Sequence, residues 1–139
     1  METIDTKIQK LWGWKRTIDE SLFHWTDFLH IDSGGYCSRH LHNDHFNSFL
    51  VLTGVLCVAV WNDRRKSTPE IKCVHEGELL RVDPGHVHQF VNATSVDVRA
   101  IEMCYPYRLQ PGNRDDIFRS TQGGVLASLH HWQKELMLA

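Results

Sequence analysis

The chain has 139 residues, of which 42% are hydrophobic, and a formal net charge of −2. This length and composition are typical of one globular domain, and we predict a single domain over residues 1–139. The near-neutral charge gives no support for binding to nucleic acid or to an anionic membrane. No apolar run has the length of a signal sequence or of a membrane span, so we expect a cytoplasmic protein with neither kind of partner.

Four cysteines are scattered along the chain: Cys37, Cys57, Cys73 and Cys104. They form no C-x-x-C pair, so neither a zinc knuckle nor a thiol redox motif is present. Each lies among apolar or β-branched neighbours, where a free cysteine packs as a small hydrophobic residue. The even number leaves disulfides open.

Residues 3–11 place Ile4, Ile8 and Leu11 at helical spacing, which predicts a short N-terminal helix or arm. After Trp12-Gly13-Trp14 the pattern changes to period two, and the aromatic segment 22–31 is typical of a strand. Seven further strand candidates follow, separated by turn-forming residues. They are residues 36–42, 47–53, 55–61, 70–75, 79–82, 87–91 and 96–103.

Many short strands without long helices between them predict an all-β sandwich or barrel with its core at about residues 20–104. Residues 105–139 are expected to form an irregular segment and then an amphipathic C-terminal helix. The apolar residues of that helix are Val125, Leu126, Leu129, Trp132, Leu136 and Met137. Together with Trp12 and Trp14, these residues offer more hydrophobic surface than one small barrel can cover. We therefore expect a homodimer.

Three of the ten histidines lie within six residues, at His40, His42 and His45. His40 and His42 are two residues apart, so in a strand their side chains share one face. His88 follows the Pro84-Gly85 turn and can reach the same interior. Three neutral imidazoles inside a small barrel suit a divalent transition metal such as Zn, Fe, Ni or Mn. The alternative is that these histidines are polar strand residues hydrated by solvent.

Two blocks of the sequence combine glycines and histidines at a specific spacing. The first contains Gly34, His40, His42, Asn47 and Gly54, and the second contains Gly77, Asp83, Pro84, Gly85, His88 and Asn92. Together they resemble the two signature motifs of the cupin superfamily. The resemblance implies a cupin-type double-stranded β-helix, or jelly-roll barrel, that holds one metal ion through four residues. The corresponding positions are His40, His42, Asn47 and His88.

Two residues depart from the motifs, since Asp83 replaces the first proline and Asn47 replaces the usual glutamate. An amide oxygen carries no net charge and binds a divalent cation more weakly than a carboxylate does. The site is then either a three-histidine centre with open positions, as in some cupin dioxygenases, or a site in which another group replaces the carboxylate. The candidates for that group are His45, His86 and Glu102.

Outside the motifs, Trp12-Gly13-Trp14, residues 99–103 and residues 112–119 are similar to a type II mannose-6-phosphate isomerase domain. In many members this domain is the C-terminal cupin of an enzyme that is also a mannose-1-phosphate guanylyltransferase. The family's glutamine and glutamate ligands are His40 and Asn47 here, and its acidic, arginine-ended continuation is replaced at residues 120–124.

The resemblance implies isomerisation of a sugar phosphate, which needs a polarised carbonyl, a proton shuttle and a phosphate-binding group. His45 and Glu102 are the candidate proton-transfer residues, and Arg108 and Arg119 are the candidate substrate-binding residues. Three functions therefore stay open. They are a metal-binding cupin for a sugar phosphate or similar small polar ligand, a three-histidine iron dioxygenase, and a non-catalytic binding module.

Overall fold

The computed structural model describes residues 6–62 and 68–138. Within these residues the chain forms thirteen strands and one helix of four residues. The strands are β1 (Ile8–Lys10), β2 (Gly13–Glu20), β3 (Trp25–Ile31), β4 (Gly35–Tyr36), β5 (His40–Leu41), β6 (His45–Thr53), β7 (Leu56–Trp61), β8 (Glu70–Val74), β9 (Leu79–Val82), β10 (Val87–Val91), β11 (Val98–Pro106), β12 (Phe118–Arg119) and β13 (Gly124–Val125), and the helix is α1 (Trp132–Glu135).

Six strands form the first sheet, in the order β1-β2-β3-β11-β6-β9. Its central strand β11 pairs antiparallel with β3 on one side and with β6 on the other. Strand β3 is buried at every second residue, from Trp25 to Ile31. This is the alternation that the sequence predicted, and it turns one face of the sheet towards the core.

The second sheet is built around β10, which pairs with β7 on one side and with both β4 and β5 on the other. On its other side β7 pairs with β8. Likewise, β5 pairs with β12 and β4 pairs with β13. The predicted strand 36–42 is therefore interrupted between Tyr36 and His40. At the interruption the Phe90 N–H donates to Cys37 Sγ and the Gln89 amide donates to the Cys37 carbonyl, so side chains replace backbone partners of the ladder.

The core lies between the two sheets and consists of apolar side chains from both. Its members are Trp12, Leu29, Ile31, Cys37, Phe49, Val51, Leu56, Val58, Val60, Val74, Val82, Phe90 and Val98. Two packed antiparallel sheets, with a single short helix in the part of the chain that the structure describes, confirm the all-β prediction.

Both termini differ from the sequence prediction. Residues 8–10 form β1, which pairs antiparallel with β2, rather than a helix. Ile4, which contributed to that helical pattern, lies outside the described residues. The C-terminal helix is limited to α1, because Gly124 and Val125 are extended and pair with β4.

Three C-terminal leucines are buried without a long helix, whereas Val125 and Met137 are exposed. Leu126, Leu136 and Leu138 pack on the outer face of the second sheet, in a cluster with Ala59 and Trp61. These residues therefore pack on the chain's own barrel without the long amphipathic helix that the spacing had predicted.

This packing removes much of the surface on which the homodimer prediction depended. Trp12 is a core residue, and Trp14 stacks between Phe28 and His30. The C-terminal leucines are covered within the chain. The homodimer stays a prediction, but an excess of uncovered hydrophobic surface at these residues no longer supports it.

A disulfide joins Cys57 of β7 to Cys73 of β8, directly across the pair of strands. Of the two alternatives that the sequence left open, these two cysteines form a disulfide, while Cys37 and Cys104 are free and buried. Disulfides are typical of oxidising compartments, so this bond does not support the predicted cytoplasmic location. Among the described residues, no helix combines the length and apolar character needed to cross a membrane.

Candidate metal centre

Three histidine side chains meet at one end of the second sheet. His40 lies on β5 directly opposite His88 of β10, and His42 follows β5 by one residue. Opposed residues of an antiparallel pair project from the same face, so the rings converge. The ring centres are 4.5 Å apart for His40 and His88, 5.1 Å for His40 and His42, and 5.4 Å for His42 and His88. We call these three residues the histidine cluster.

The cluster has the geometry of a metal site. One ligand atom from each of the three side chains lies within 4.8 Å of the others, and all three residues are buried. The predicted metal ligands His40, His42 and His88 are therefore brought together by the fold.

Each ring of the cluster is fixed by a hydrogen bond from its Nδ1 to a backbone carbonyl. The acceptors are the carbonyl oxygens of Ser38 for His40 (2.7 Å), Asp116 for His42 (2.6 Å) and His86 for His88 (3.1 Å). A proton held on Nδ1 leaves Nε2 with its lone pair, which is the form that binds a metal. The backbone therefore selects the metal-binding tautomer of all three rings.

Burial keeps the cluster uncharged. Desolvation, together with the neighbouring imidazoles, lowers the pKa of His88 to about 4 and that of His40 well below its ordinary value. Burial also lowers the pKa of His42. Neutral imidazoles need not lose a proton before they bind a cation, so this donor set fits a divalent transition metal.

Asn47 lies on β6 beside the cluster, almost completely buried. Its Nδ2 is 3.3 Å from Nε2 of His42 and 3.3 Å from Nε2 of His88. Its Oδ1 lies on the side of Cys104, whose Sγ is 3.8 Å away. In this orientation Asn47 offers the imidazoles a hydrogen-bond donor and not the oxygen ligand that the motif predicts.

Glu102 of β11 faces the interior, as the sequence predicted, and its Oε2 accepts a hydrogen bond from Asn47 Nδ2 at 3.2 Å. Burial raises the pKa of its carboxyl group. Glu102 borders a cavity of about 500 Å³ whose wall also includes His40 and His42. The structure thus places a carboxyl group next to the cluster but outside the set of three converging ligand atoms.

His45 does not join the cluster, although its strand parity predicted that it could. Its Nδ1 donates to Asp116 Oδ2 at 2.6 Å, and its Nε2 accepts the Asn113 N–H at 3.2 Å. Both ring nitrogens therefore hold the chain segment 113–116. Neither nitrogen is placed to replace the missing carboxylate at the cluster.

Asp116 is a residue of the site that the sequence interpretation missed. Its carboxylate accepts the N–H groups of Asn43 and Asp44 as well as the His45 ring, while its carbonyl accepts His42 Nδ1. Burial opposes ionisation of this carboxyl, but the hydrogen bonds outweigh it and lower its pKa. Asp116 therefore joins the C-terminal segment to His42, a candidate metal ligand more than 70 residues earlier in the chain. Nothing in the adjacent pair Asp115-Asp116 distinguishes the two residues in advance.

The two predicted substrate-binding arginines lie apart. Arg119 is opposite His40 across the β5–β12 pair and borders the same cavity as the cluster. Arg108 borders a second, more apolar cavity, with its guanidinium over the Tyr107 ring. The structure therefore brings only Arg119 to the candidate metal centre.

Comparison with known proteins agrees with this architecture. The family model described as Cupin domain matches residues 27–104, more than half of the chain. The chain therefore belongs to the cupin family, and its fold is the jelly-roll barrel that the motifs implied. No curated protein sequence matches the chain.

Solved structures with low sequence identity share the fold. KdgF from Halomonas sp. is 17% identical, with a TM-score of 0.57, over 68% of this chain and 81% of that one. Oxalate decarboxylase from Bacillus subtilis is 14% identical, with a TM-score of 0.68, over 83% of this chain and 30% of that one. The formate complex of the Lactobacillus farciminis oxalate decarboxylase is 14% identical, with a TM-score of 0.67, over 83% of this chain and 33% of that one. The chain thus spans about a third of each decarboxylase, and these likenesses concern the fold alone.

Proposed function

We propose that this cupin binds one divalent transition metal through His40, His42 and His88 and acts on a small polar ligand in the adjoining cavity. The observation that carries the proposal is the set of three Nδ1 hydrogen bonds to carbonyl oxygens, which fix the Nε2 tautomer of each ring, on three side chains whose ligand atoms lie within 4.8 Å of one another. A bound metal would supply Lewis acidity to polarise a ligand oxygen. Zn, Fe and Ni suit imidazole donors, whereas Mn prefers oxygen ligands.

Glu102 is the proton-transfer group in this proposal. It borders the cavity, and its raised pKa brings the carboxyl group closer to the pH at which it can both accept and donate a proton. His45, the other sequence candidate, has both ring nitrogens occupied by Asp116 and Asn113. Asn47 holds the Glu102 carboxyl in place through its amide group.

A sugar phosphate is the first ligand class to test. The similarity of residues 112–119 to mannose-6-phosphate isomerases motivates it, and the position of Arg119 at the cavity is compatible with an anionic ligand. The comparisons with known proteins support the cupin family only, so the isomerase activity depends on the sequence similarity.

A three-histidine iron dioxygenase is the second candidate. The absence of a carboxylate from the converging ligand atoms of the described residues favours it, because such a centre leaves positions open for oxygen and substrate. Ferrous ion added anaerobically, followed by oxygen, would lead to oxygen uptake with candidate thiols or diketones. No uptake with any of them would count against this candidate.

Elemental analysis tests the metal site itself. The protein should be purified without chelator or nickel resin and should contain close to one transition metal per chain. His42→Ala should lose that metal while keeping its β-rich circular dichroism spectrum. Metal content that is unchanged in His42→Ala would reject the proposed centre, and metal binding without turnover of any tested ligand would favour the non-catalytic binding module.

A further inference from the structure

Four cationic side chains border the cavity next to the histidine cluster: Lys10, Lys15, Arg114 and Arg119. Two of them have acidic partners. Lys15 Nζ is 3.6 Å from Asp27 Oδ2, and Arg114 Nη1 is 3.5 Å from the same oxygen. Arg114 Nε is also 3.0 Å from Glu20 Oε1. The charges of Lys15 and Arg114 are therefore balanced within the protein.

Lys10 and Arg119 are not balanced in this way. Over residues 6–62 and 68–138, neither has a carboxylate oxygen within 4.0 Å. Lys10 comes from β1 of the first sheet and Arg119 from β12 of the second, so the cavity brings together two cations from opposite sheets. Burial lowers the pKa of the Lys10 ammonium, as do the positive charges of Lys15 and Arg119, while the acidic groups of Glu102 and Asp27 act in the opposite direction. Two cations without a carboxylate in ion-pair contact within the described residues thus border this end of the cavity.

We propose that Lys10 and Arg119 bind an anionic group of the ligand, a carboxylate or a phosphate, while the remainder of the ligand reaches the histidine cluster. This inference rests on the proposed function, since it concerns the same cavity. A guanidinium and an ammonium form strong charge-assisted hydrogen bonds with both kinds of anion. The bound anion would also relieve the repulsion between the two cations, which a neutral ligand would leave in place.

The size of the cavity agrees with a small ligand. At about 500 Å³ it falls within the range of about 300–1,000 Å³ that is usual for small-molecule sites. Arg119 pairs across the ladder with His40, so the anion-binding end and the histidine cluster are neighbours on adjacent strands. One ligand of monosaccharide size can therefore contact both.

The test is calorimetric titration of the metal-loaded protein with three sugars that differ in one group: glucose 6-phosphate, glucuronate and glucose. We expect both anions, or one of them, to bind at least about tenfold more tightly than glucose, as a lost charged hydrogen bond would require. Whichever anionic sugar binds more tightly identifies phosphate or carboxylate as the recognised group. Equal affinity for all three sugars, or no measurable binding of either anion, would overturn the proposal.

Variants locate the interaction. Lys10→Ala and Arg119→Ala should each weaken anion binding by about tenfold without changing the affinity for glucose. Lys10→Arg should keep the affinity for the anions. The matched control is Arg99→Ala, which removes an exposed arginine on β11 outside the cavity wall and should have no effect. Unchanged anion binding in Lys10→Ala and Arg119→Ala would contradict the assignment.

Metal content separates this inference from the proposed function. If all variants keep one metal per chain but anions bind no better than glucose, the anion site is wrong and the metal centre stands. If the wild-type protein holds no metal, the same titrations on the metal-free protein still test the two cations. Circular dichroism of each variant distinguishes lost binding from lost folding.

Discussion

Two groups of side chains in residues 6–62 and 68–138 bring three potential metal ligands within 4.8 Å of one another, and they differ in their surroundings. One is the buried histidine cluster. The other consists of His30, Asp32 and Asp97, of which both aspartates are exposed. His30 Nε2 is 3.2 Å from Asp97 Oδ2 and 3.6 Å from Asp32 Oδ1, so these ligand atoms already pair with one another. In the histidine cluster the backbone takes up each Nδ1, and an uncharged amide, that of Asn47, lies 3.3 Å from Nε2 of His42 and of His88.

The difference teaches that proximity of ligand atoms does not by itself define a metal site. Water competes for an exposed carboxylate, and a ring nitrogen that is shared between two carboxylates is not presented to a cation. The buried imidazoles have lost their water, are held neutral and are oriented by carbonyl oxygens. We therefore expect metal affinity at the histidine cluster and none of comparable strength at the surface group.

The largest expected effect is the loss of metal on removal of one cluster ligand. His88→Ala should reduce metal affinity by more than the ~10–100-fold that is typical for the loss of an outer hydrogen-bond partner. His30→Ala is the matched control and should keep one metal per chain. Competition with a chromophoric chelator measures the metal affinity of both variants. A comparable loss of metal affinity in His30→Ala would invalidate the distinction between the two groups.

Acid should destabilise the metal-free protein through the buried cluster. The pKa of His88 is about 4 in the folded chain and about 6.5 when exposed, so the unfolded chain binds more protons between these pH values. The free energy of unfolding should therefore fall as the pH decreases from about 6.5 to about 4, by about 3 kcal/mol for His88 alone. Urea titrations in the presence of a chelator measure it.

The control for this pH effect is His88→Gln, in which the side chain cannot titrate. Its free energy of unfolding should depend less steeply on pH over the same interval. Equal slopes in the two proteins would show that the buried imidazole is not the group that acid protonates.

Asp116→Ala should weaken metal binding by about 10–100-fold, because the carbonyl that orients His42 is fixed by the Asp116 carboxylate. Asp115→Ala removes the exposed neighbouring carboxylate and should bind metal as the wild type does. The absorption spectrum of bound Co²⁺ should also change in Asp116→Ala only. Lower thermal stability with unchanged metal affinity would indicate that Asp116 is merely structural.

The smallest effect is expected for Asn47→Glu, which places a carboxylate beside the cluster. Metal affinity should rise by about tenfold, because the new oxygen neutralises part of the cation's charge. Without metal the variant should be less stable than the wild type, since two buried carboxyl groups would lie side by side at Glu102. Asn47→Gln keeps the amide and is the control, and equal metal affinity in both variants would contradict the expectation.

Many strands of the barrel could be predicted because the pattern that indicates a strand lies within a few consecutive residues. Alternation along residues 25–31 follows from the strand period alone, and the spacing of His40 and His42 places both on one face. The termini could not be predicted in the same way. The residues of β1 and β13 are compatible with a helix in isolation, and strand pairing with β2 and β4 decided their conformation.

The sequence by itself indicated the family, the alternating strands and the shared face of His40 and His42, since strand parity and turn residues act over a few positions. Only the tertiary structure brought His88 to these two residues, through the pairing of β5 with β10, and decided which ring nitrogens stay available. His45 has the same parity as Asn47, yet the distant Asp116 and Asn113 occupy both of its nitrogens. Likewise, Lys10 and Arg119 meet at one cavity because two sheets pack face to face, and no local pattern records a contact between residues so far apart in the chain.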